Sequence, residues 1–170
     1  ESIYRRTTSH SGVGTAGPFR GRKCTIYEGG IRVPFIARMP GVIPRGRVDN
    51  QSRIAGIDLV PTVCELAQIR SCENIEGESI LPALQGKDFR RKKPLFWEYR
   101  YPNSAPPLDK SPVMAIRDGK WKFLMNPDGS RRELYNLEKD PGEVDNRVEQ
   151  YPQVAATLSQ QLLDWWKTLP

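Results

Sequence analysis

The run from Val113 to Leu124 constrains this chain more than any other segment. Val113-Met114-Ala115-Ile116-Arg117 and Lys120-Trp121-Lys122-Phe123-Leu124 flank Asp118-Gly119. Asp-Gly between alternating runs predicts a type I′ β-hairpin. Trp121 and Phe123 then fall on one face, with Lys120 and Lys122 on the other. Leu95-Phe96-Trp97-Glu98-Tyr99 reads as a strand before the hairpin. Arg132-Glu133-Leu134-Tyr135 reads as another, after the turn Asn126-Pro127-Asp128-Gly129. A closing helix starts at Pro152, and Val154, Leu158, Leu162, Trp165 and Leu169 form its apolar stripe. A three- or four-stranded antiparallel sheet with this helix across one face follows from that order.

The upstream half is less regular. Residues 1–30 have no clear period and are punctuated by Gly12, Gly14, Gly17, Pro18, Gly21, Gly29 and Gly30. They read as a long loop holding a short element. Ile31 to Arg38 is apolar and partly β-branched, which predicts a strand, and Pro34 argues for an edge or an early position in it. Asp58 is placed to N-cap a helix of about three turns with Pro61 in its first turn. Val60, Val63, Cys64 and Ala67 share one face of that helix. Ser79 to Gln85 reads as a short helix closed by Gly86.

Composition narrows the classes. No apolar run approaches the ~20 residues of a membrane span. Glu1-Ser2-Ile3-Tyr4-Arg5-Arg6 lacks the apolar stretch of a signal peptide. The net charge of +6 lies within residues 1–50, a positive field that favours an anionic partner. The three cysteines, Cys24, Cys64 and Cys72, allow one disulfide and do not specify which. His10 is the single histidine, so a His/Cys zinc site is not expected.

Arg20-Gly21-Arg22-Lys23 carries the clearest chemistry. Glycines let backbone approach a ligand, and lysine supplies a mobile point charge for an oxyanion. A solvated basic turn explains the same residues. The segment is not a P-loop, because Cys24 follows Lys23 where Ser or Thr is needed. Arg90-Arg91-Lys92-Lys93 could contact nucleic acid, but it lacks interleaved aromatics and fits a linker turn as well. Glu138 to Asp145 reads as a solvated acidic loop without EF-hand order.

Gly17-Pro18-Phe19-Arg20-Gly21-Arg22-Lys23-Cys24-Thr25-Ile26-Tyr27-Glu28-Gly29-Gly30-Ile31-Arg32-Val33-Pro34 resembles a sulfatase signature that often reads G-P-L-R-G-G-K-G-T-x-x-E-G-G-x-R-V-P. Gly56-Ile57-Asp58-Leu59-Val60-Pro61-Thr62 resembles the I-D-L-x-P-T helix start of the same family. Asp118 to Lys122 resembles its R-D-G-x-W-K hairpin. Glu133-Leu134-Tyr135-Asn136-Leu137 with Asp140-Pro141-Gly142-Glu143 resembles E-L-Y-D-L-x-x-D-P-x-E. Arg22 and Cys24 stand where the family usually has glycine.

The resemblance implies an alkaline-phosphatase-like α/β fold, of which this chain is the C-terminal part. Residues 1–92 would be the end of the large domain, and 93–170 a small subdomain of antiparallel sheet and helix. It implies hydrolysis of sulfate esters by a formylglycine, with calcium held by three Asp and an Asn or Gln. Lys23 maps onto the family's downstream lysine at the sulfate and leaving-group site, and His10 onto a variable substrate-pocket position. None of the cysteines completes C-x-P/A-x-R, so nucleophile and metal ligands are expected upstream of Glu1, and the chain alone is expected to be inactive. The expected partners are a sulfated small molecule or carbohydrate and the rest of the sulfatase domain, in an exported protein, without nucleic acid. The alternative is a non-enzymatic basic module that binds polyanions such as sulfated glycans. A phosphatase or phosphonate hydrolase fits the Glu28-to-Pro34 pattern less well.

Overall fold

The structure is a computed structural model, and it describes residues 16–69, 75–100 and 110–170. In chain order its elements are α1 (Glu28–Ile31), a 3-10 helix (Gly56–Asp58), α2 (Leu59–Leu66), α3 (Leu81–Leu84), β1 (Leu95–Glu98), β2 (Met114–Asp118), β3 (Trp121–Met125), β4 (Glu133–Asn136) and α4 (Pro152–Trp166). They sort into two compact units. One joins the described residues up to Val33 with Leu95–Pro170, and the other is Pro34–Pro94. The basic glycine-rich segment thus packs with the sheet, although its sequence groups it with residues up to 92.

In the first unit the four strands lie in sequence order, all antiparallel. The β2–β3 hairpin forms as expected, but its turn differs. Asp118 pairs with Trp121, leaving Gly119 and Lys120 as the loop. Only Gly119 there has a positive φ, 52°, whereas a type I′ turn needs one at both central residues. Glycine in the first central position carries the reversal by itself.

Strand periodicity sends alternate residues to opposite faces. Met114, Ile116, Phe123, Met125 and Leu134 pack on Ala155, Leu158 and Leu162 of α4. Each fully buried leucine there stabilises by roughly 1.5–3 kcal/mol. Phe96 stacks on Trp165 with ring centroids 4.9 Å apart, and Trp166 Nε1 donates to Glu98 at 3.0 Å. The helix stripe is the one its spacing implies, except that Leu169 lies beyond the helix end. On the other face, Ala115, Leu124, Tyr135 and Leu137 cover Ile26 and Tyr27. The sheet is therefore buried on both sides, by α4 and by the glycine-rich segment.

The second unit corrects three expectations. Asp58 does not cap α2 with its side chain. It is fully buried, accepts from the N–H of Ala55 at 2.8 Å and of Glu78 at 2.9 Å, and pairs with Arg91. Helix α2 spans eight residues, about two turns. Its buried residue is Thr62, whose hydroxyl accepts from Ile80 N–H at 3.0 Å, while Val60 and Val63 are more than half exposed. The segment from Arg32 to Arg38 forms no strand, and Ile36 is 91% exposed. A run apolar on both faces is a strand only when sheet neighbours cover it. None of the described strands pairs with it. Helix α3 and Gly86, at φ +89°, match the expected short helix and its stop.

Arg91 is buried against Asp58, and the N–H groups of Lys92 and Lys93 donate to Glu78. Of the basic run at 90–93, the Arg91 guanidinium is thus used inside its own unit, while Arg90, Lys92 and Lys93 are exposed. Cys64 is disulfide-bonded, and Cys24 is a half-buried free thiol. No helix among the described residues is long and apolar enough to cross a membrane.

Candidate functional site

Lys23 stands on a tight turn. The Thr25 N–H donates to the Arg22 carbonyl at 3.1 Å, and the Thr25 hydroxyl donates to the same oxygen at 2.9 Å. Lys23 and Cys24 are therefore the central residues of a β-turn. Cys24 has φ +74°, the value a type II turn requires at its second central position and one that glycine adopts without strain. Lys23 occupies the corner and is exposed. Holding a side chain in the left-handed region costs about 1–2 kcal/mol, and glycine gives back about 0.5–1 through unfolded-state entropy. Cys24→Gly should therefore raise stability by roughly 0.5–1 kcal/mol, seen as a higher urea midpoint. A lower midpoint would contradict this turn geometry.

The residues around the turn are held from behind. Arg20 Nη1 donates to the Tyr135 hydroxyl at 2.8 Å and to the Glu143 carbonyl at 3.2 Å, and its guanidinium lies 3.9 Å over the Tyr27 ring. Tyr27 and Tyr135 both donate to the Glu133 carboxylate, at 2.9 Å each. Burial, then the Glu133 charge, raises both phenol pKa values far above the usual range, so both remain donors. Arg20 is held by this network through Nη1 while its side chain stays 41% exposed, and Lys23 is exposed at the corner of the turn. An open depression of about 460 Å³ lies beside the network, lined by Gly17 to Arg20 and Gly142 to Val144.

Deeper in, Lys122 is fully buried on the sheet face that covers Tyr27. Its ammonium lies 3.0 Å from Glu28 Oε1 and 2.8 Å from Glu143 Oε1. Glu143 Oε2 accepts the Glu28 N–H at 2.6 Å. Arg32 and Arg117 approach Glu28 Oε2 at 2.7 and 3.5 Å. The loop at 138–145 is thus not wholly solvated, since Glu143 turns inward at φ +54°.

The family model described as N-sulphoglucosamine sulphohydrolase, C-terminal, matches residues 17–168. The chain belongs to that family. A sulfatase of Formosa agariphila is 32% identical over 155 residues, covering 86% of this chain and 27% of the relative. The choline-sulfatase of Rhizobium meliloti is 33% identical over 134 residues, 75% of this chain and 23% of its own. Human arylsulfatase K is 28% identical over 152 residues, 82% and 26% respectively. The chain spans about a quarter of the length of these curated relatives. A solved Bacteroides thetaiotaomicron protein of multiple-glycosaminoglycan metabolism superposes with TM-score 0.70 at 26% identity, over 99% of this chain and 35% of that one. Ps i-CgsB, solved with a neocarrahexaose, shares the fold at TM-score 0.71 and 24% identity, over 88% of this chain and 32% of that one. The fold class is the alkaline-phosphatase-like sulfatase fold, here its C-terminal part with sheet and helix.

The described residues of this family member hold no cluster of three or more His, Cys, Asp or Glu side chains suited to a metal ion. The buried carboxylates Glu28 and Glu143 already enclose the Lys122 ammonium, and Arg32 and Arg117 also approach Glu28, so cations of the chain itself occupy this pair. These residues do not fit calcium, and no step is derived through it. His10 lies outside the described residues.

The buried pair titrates with opposite signs. Burial opposes ionisation of Glu28, but Lys122, Arg32 and Arg117 outweigh it and hold its pKa below the usual range. Burial raises the Glu143 pKa, Lys122 offsets this only in part, and the Glu28 charge adds to the rise. The Glu28 contribution is full above the unfolded carboxylate value of about 4.3 and is lost as pH falls through its folded value. The Glu143 contribution is full below that value and is lost as pH rises through its own. Glu28→Gln should therefore destabilise more at pH 7 than at pH 3, by denaturation at both. An equal loss at both would contradict it.

Proposed function

We propose that this chain is the C-terminal part of an exported sulfatase that hydrolyses sulfate esters, with Lys23 at the sulfate and leaving-group site. The observation that supports this most is the Lys23 turn, an exposed ammonium at the corner of a backbone reversal clamped by the family's own motif residues. When the S–O bond breaks, charge collects on the leaving oxygen. A preorganised ammonium beside it lowers that barrier by a few kcal/mol. Calcium and the formylglycine nucleophile are assigned to the remainder of the protein, so the 170 residues alone should show no turnover. His10 is proposed as a substrate-pocket residue. Sulfated carbohydrate is the favoured substrate class, in keeping with the oligosaccharide complex of Ps i-CgsB.

Exposed apolar residues support a further domain as partner. Ile36 is 91% exposed, and Val60 and Val63 add to the apolar surface of the second unit. Isolated surface apolar residues are normal, but a run of them marks an interface. On this reading the missing sheet neighbours of residues 31–38 belong to the remainder of the large domain, of which 1–92 is the end.

Lys23→Ala in the whole protein should lower kcat on an aryl sulfate by about 10²–10³, with a smaller change in KM. An unchanged kcat would remove Lys23 from the reaction. The second reading, a polyanion-binding module, is favoured by the charge of residues 1–50 alone. It predicts retention on a sulfated glycan that declines log-linearly with salt and needs no scissile ester.

A further inference from the structure

We infer that Lys122, acting through Glu28 and Glu143, is a positioning residue for the turn that carries Lys23. Three stretches far apart in sequence meet at one ammonium. Lys122 is the second residue of β3, Glu28 opens α1, and Glu143 comes from the loop after β4. Glu143 also accepts the Glu28 N–H, so the α1 backbone is pinned as well as its side chain.

From α1 the constraint passes to the turn through backbone contacts. Gly29 N–H donates to the Arg20 carbonyl at 2.7 Å, and Gly30 N–H to the Tyr27 carbonyl at 2.8 Å. Gly30 lies so close to the turn that a Cβ there would sit 2.6 Å from the Arg22 carbonyl oxygen. A shift of α1 therefore moves Arg22 and Thr25, the two ends of the Lys23 turn. The same loop residue, Glu143, offers its carbonyl to Arg20 at 3.2 Å, which fixes the entry to the turn. An apolar side chain at 122 could fill the space without fixing the register of α1. A buried lysine between two carboxylates adds direction to packing, and direction is the better-attested use of a buried ion pair.

The catalytic consequence rests on Lys23 acting in sulfate-ester hydrolysis. The positioning itself is readable without turnover, because Cys24 is a half-buried free thiol next to Lys23 on the same turn. In the whole protein, iodoacetamide labelling of the Cys24 peptide would be followed by mass spectrometry under native conditions. Lys122→Met and Glu143→Gln should label about tenfold faster than wild type. Leu158→Ala, which weakens the opposite face of the sheet, should label at the wild-type rate. If Lys122→Met does not fold, Glu143→Gln decides. Wild-type labelling in Glu143→Gln, or equal acceleration in Leu158→Ala, would overturn the proposal.

Kinetics give the second readout. Glu143→Gln should lose more kcat on an alkyl sulfate than on 4-nitrophenyl sulfate, since a poor leaving group depends more on Lys23. Adding Lys23→Ala should then abolish that difference between Glu143→Gln and its parent. Equal losses on both esters would mean that Glu143 and Lys122 do not act through Lys23. If Lys23→Ala leaves kcat unchanged while Cys24 labelling still responds, the catalytic reading fails and the positioning of the turn stands.

Discussion

Lys122→Met should destabilise the protein by about 3–5 kcal/mol, the cost of removing one partner from a buried ion pair. The loss does not come from the packing, because methionine fills a similar volume. It comes from leaving the Glu28 and Glu143 carboxylates buried without the ammonium that now lies within 3.0 Å of each. Against an ordinary domain stability of about 5–15 kcal/mol, this is a large fraction. Urea unfolding at constant slope would measure it. Lys120→Met, exposed at the neighbouring turn, should leave the midpoint unchanged. Adding Glu143→Gln to Lys122→Met should recover part of the loss, since one of the stranded charges disappears. Equal midpoints for Lys122→Met and Lys120→Met would show that the buried charge has another route to solvent.

Gly30→Ala should destabilise by about 3 kcal/mol, the upper end of the usual overpacking cost. A Cβ at Gly30 would collide with the Thr25 carbonyl oxygen and come within 2.6 Å of both the Arg22 carbonyl oxygen and the Thr25 hydroxyl. The two carbonyls are backbone atoms, so no side-chain rotation relieves the clash. Gly56 is the control: nothing lies within 4 Å of its added Cβ and its φ is not positive. Gly56→Ala should therefore be close to neutral. A Gly30→Ala midpoint no lower than that of Gly56→Ala would refute the close approach of α1 to the Lys23 turn. The same substitution should displace Lys23, and under the role proposed for Lys23 the whole protein should then lose sulfate-ester hydrolysis even at temperatures where the variant remains folded.

The hairpin, the outer strands and α4 were legible because their periods are local. Alternation in β2 and β3 and the Leu158–Leu162 stripe each report one face, and each face is buried as a unit. The Lys23 turn was legible in part. Glycine spacing and the cationic residues pointed to it, but Arg20 was indistinguishable in sequence from a free anion contact until its partners Tyr135 and Glu143 were in place. Asp58 looked like a helix cap because its position fits one, yet Arg91 and Glu78 offer it stronger partners from distant sequence. Glu28, Lys122 and Glu143 were missed as a group. Only the family motifs containing them could have flagged them, since period 2 assigned Lys122 merely to a face.

By itself the sequence determined the antiparallel sheet, its helix, the family and the basic turn, because propensity, periodicity and motif act over a few residues. Tertiary structure alone decided which charges are buried. Whether Lys122 lies in water or between two carboxylates depends on what covers the second face of the sheet. That cover is the segment around Ile26 to Glu28, roughly ninety residues earlier in the chain, and its energy exists only once the loops between have closed.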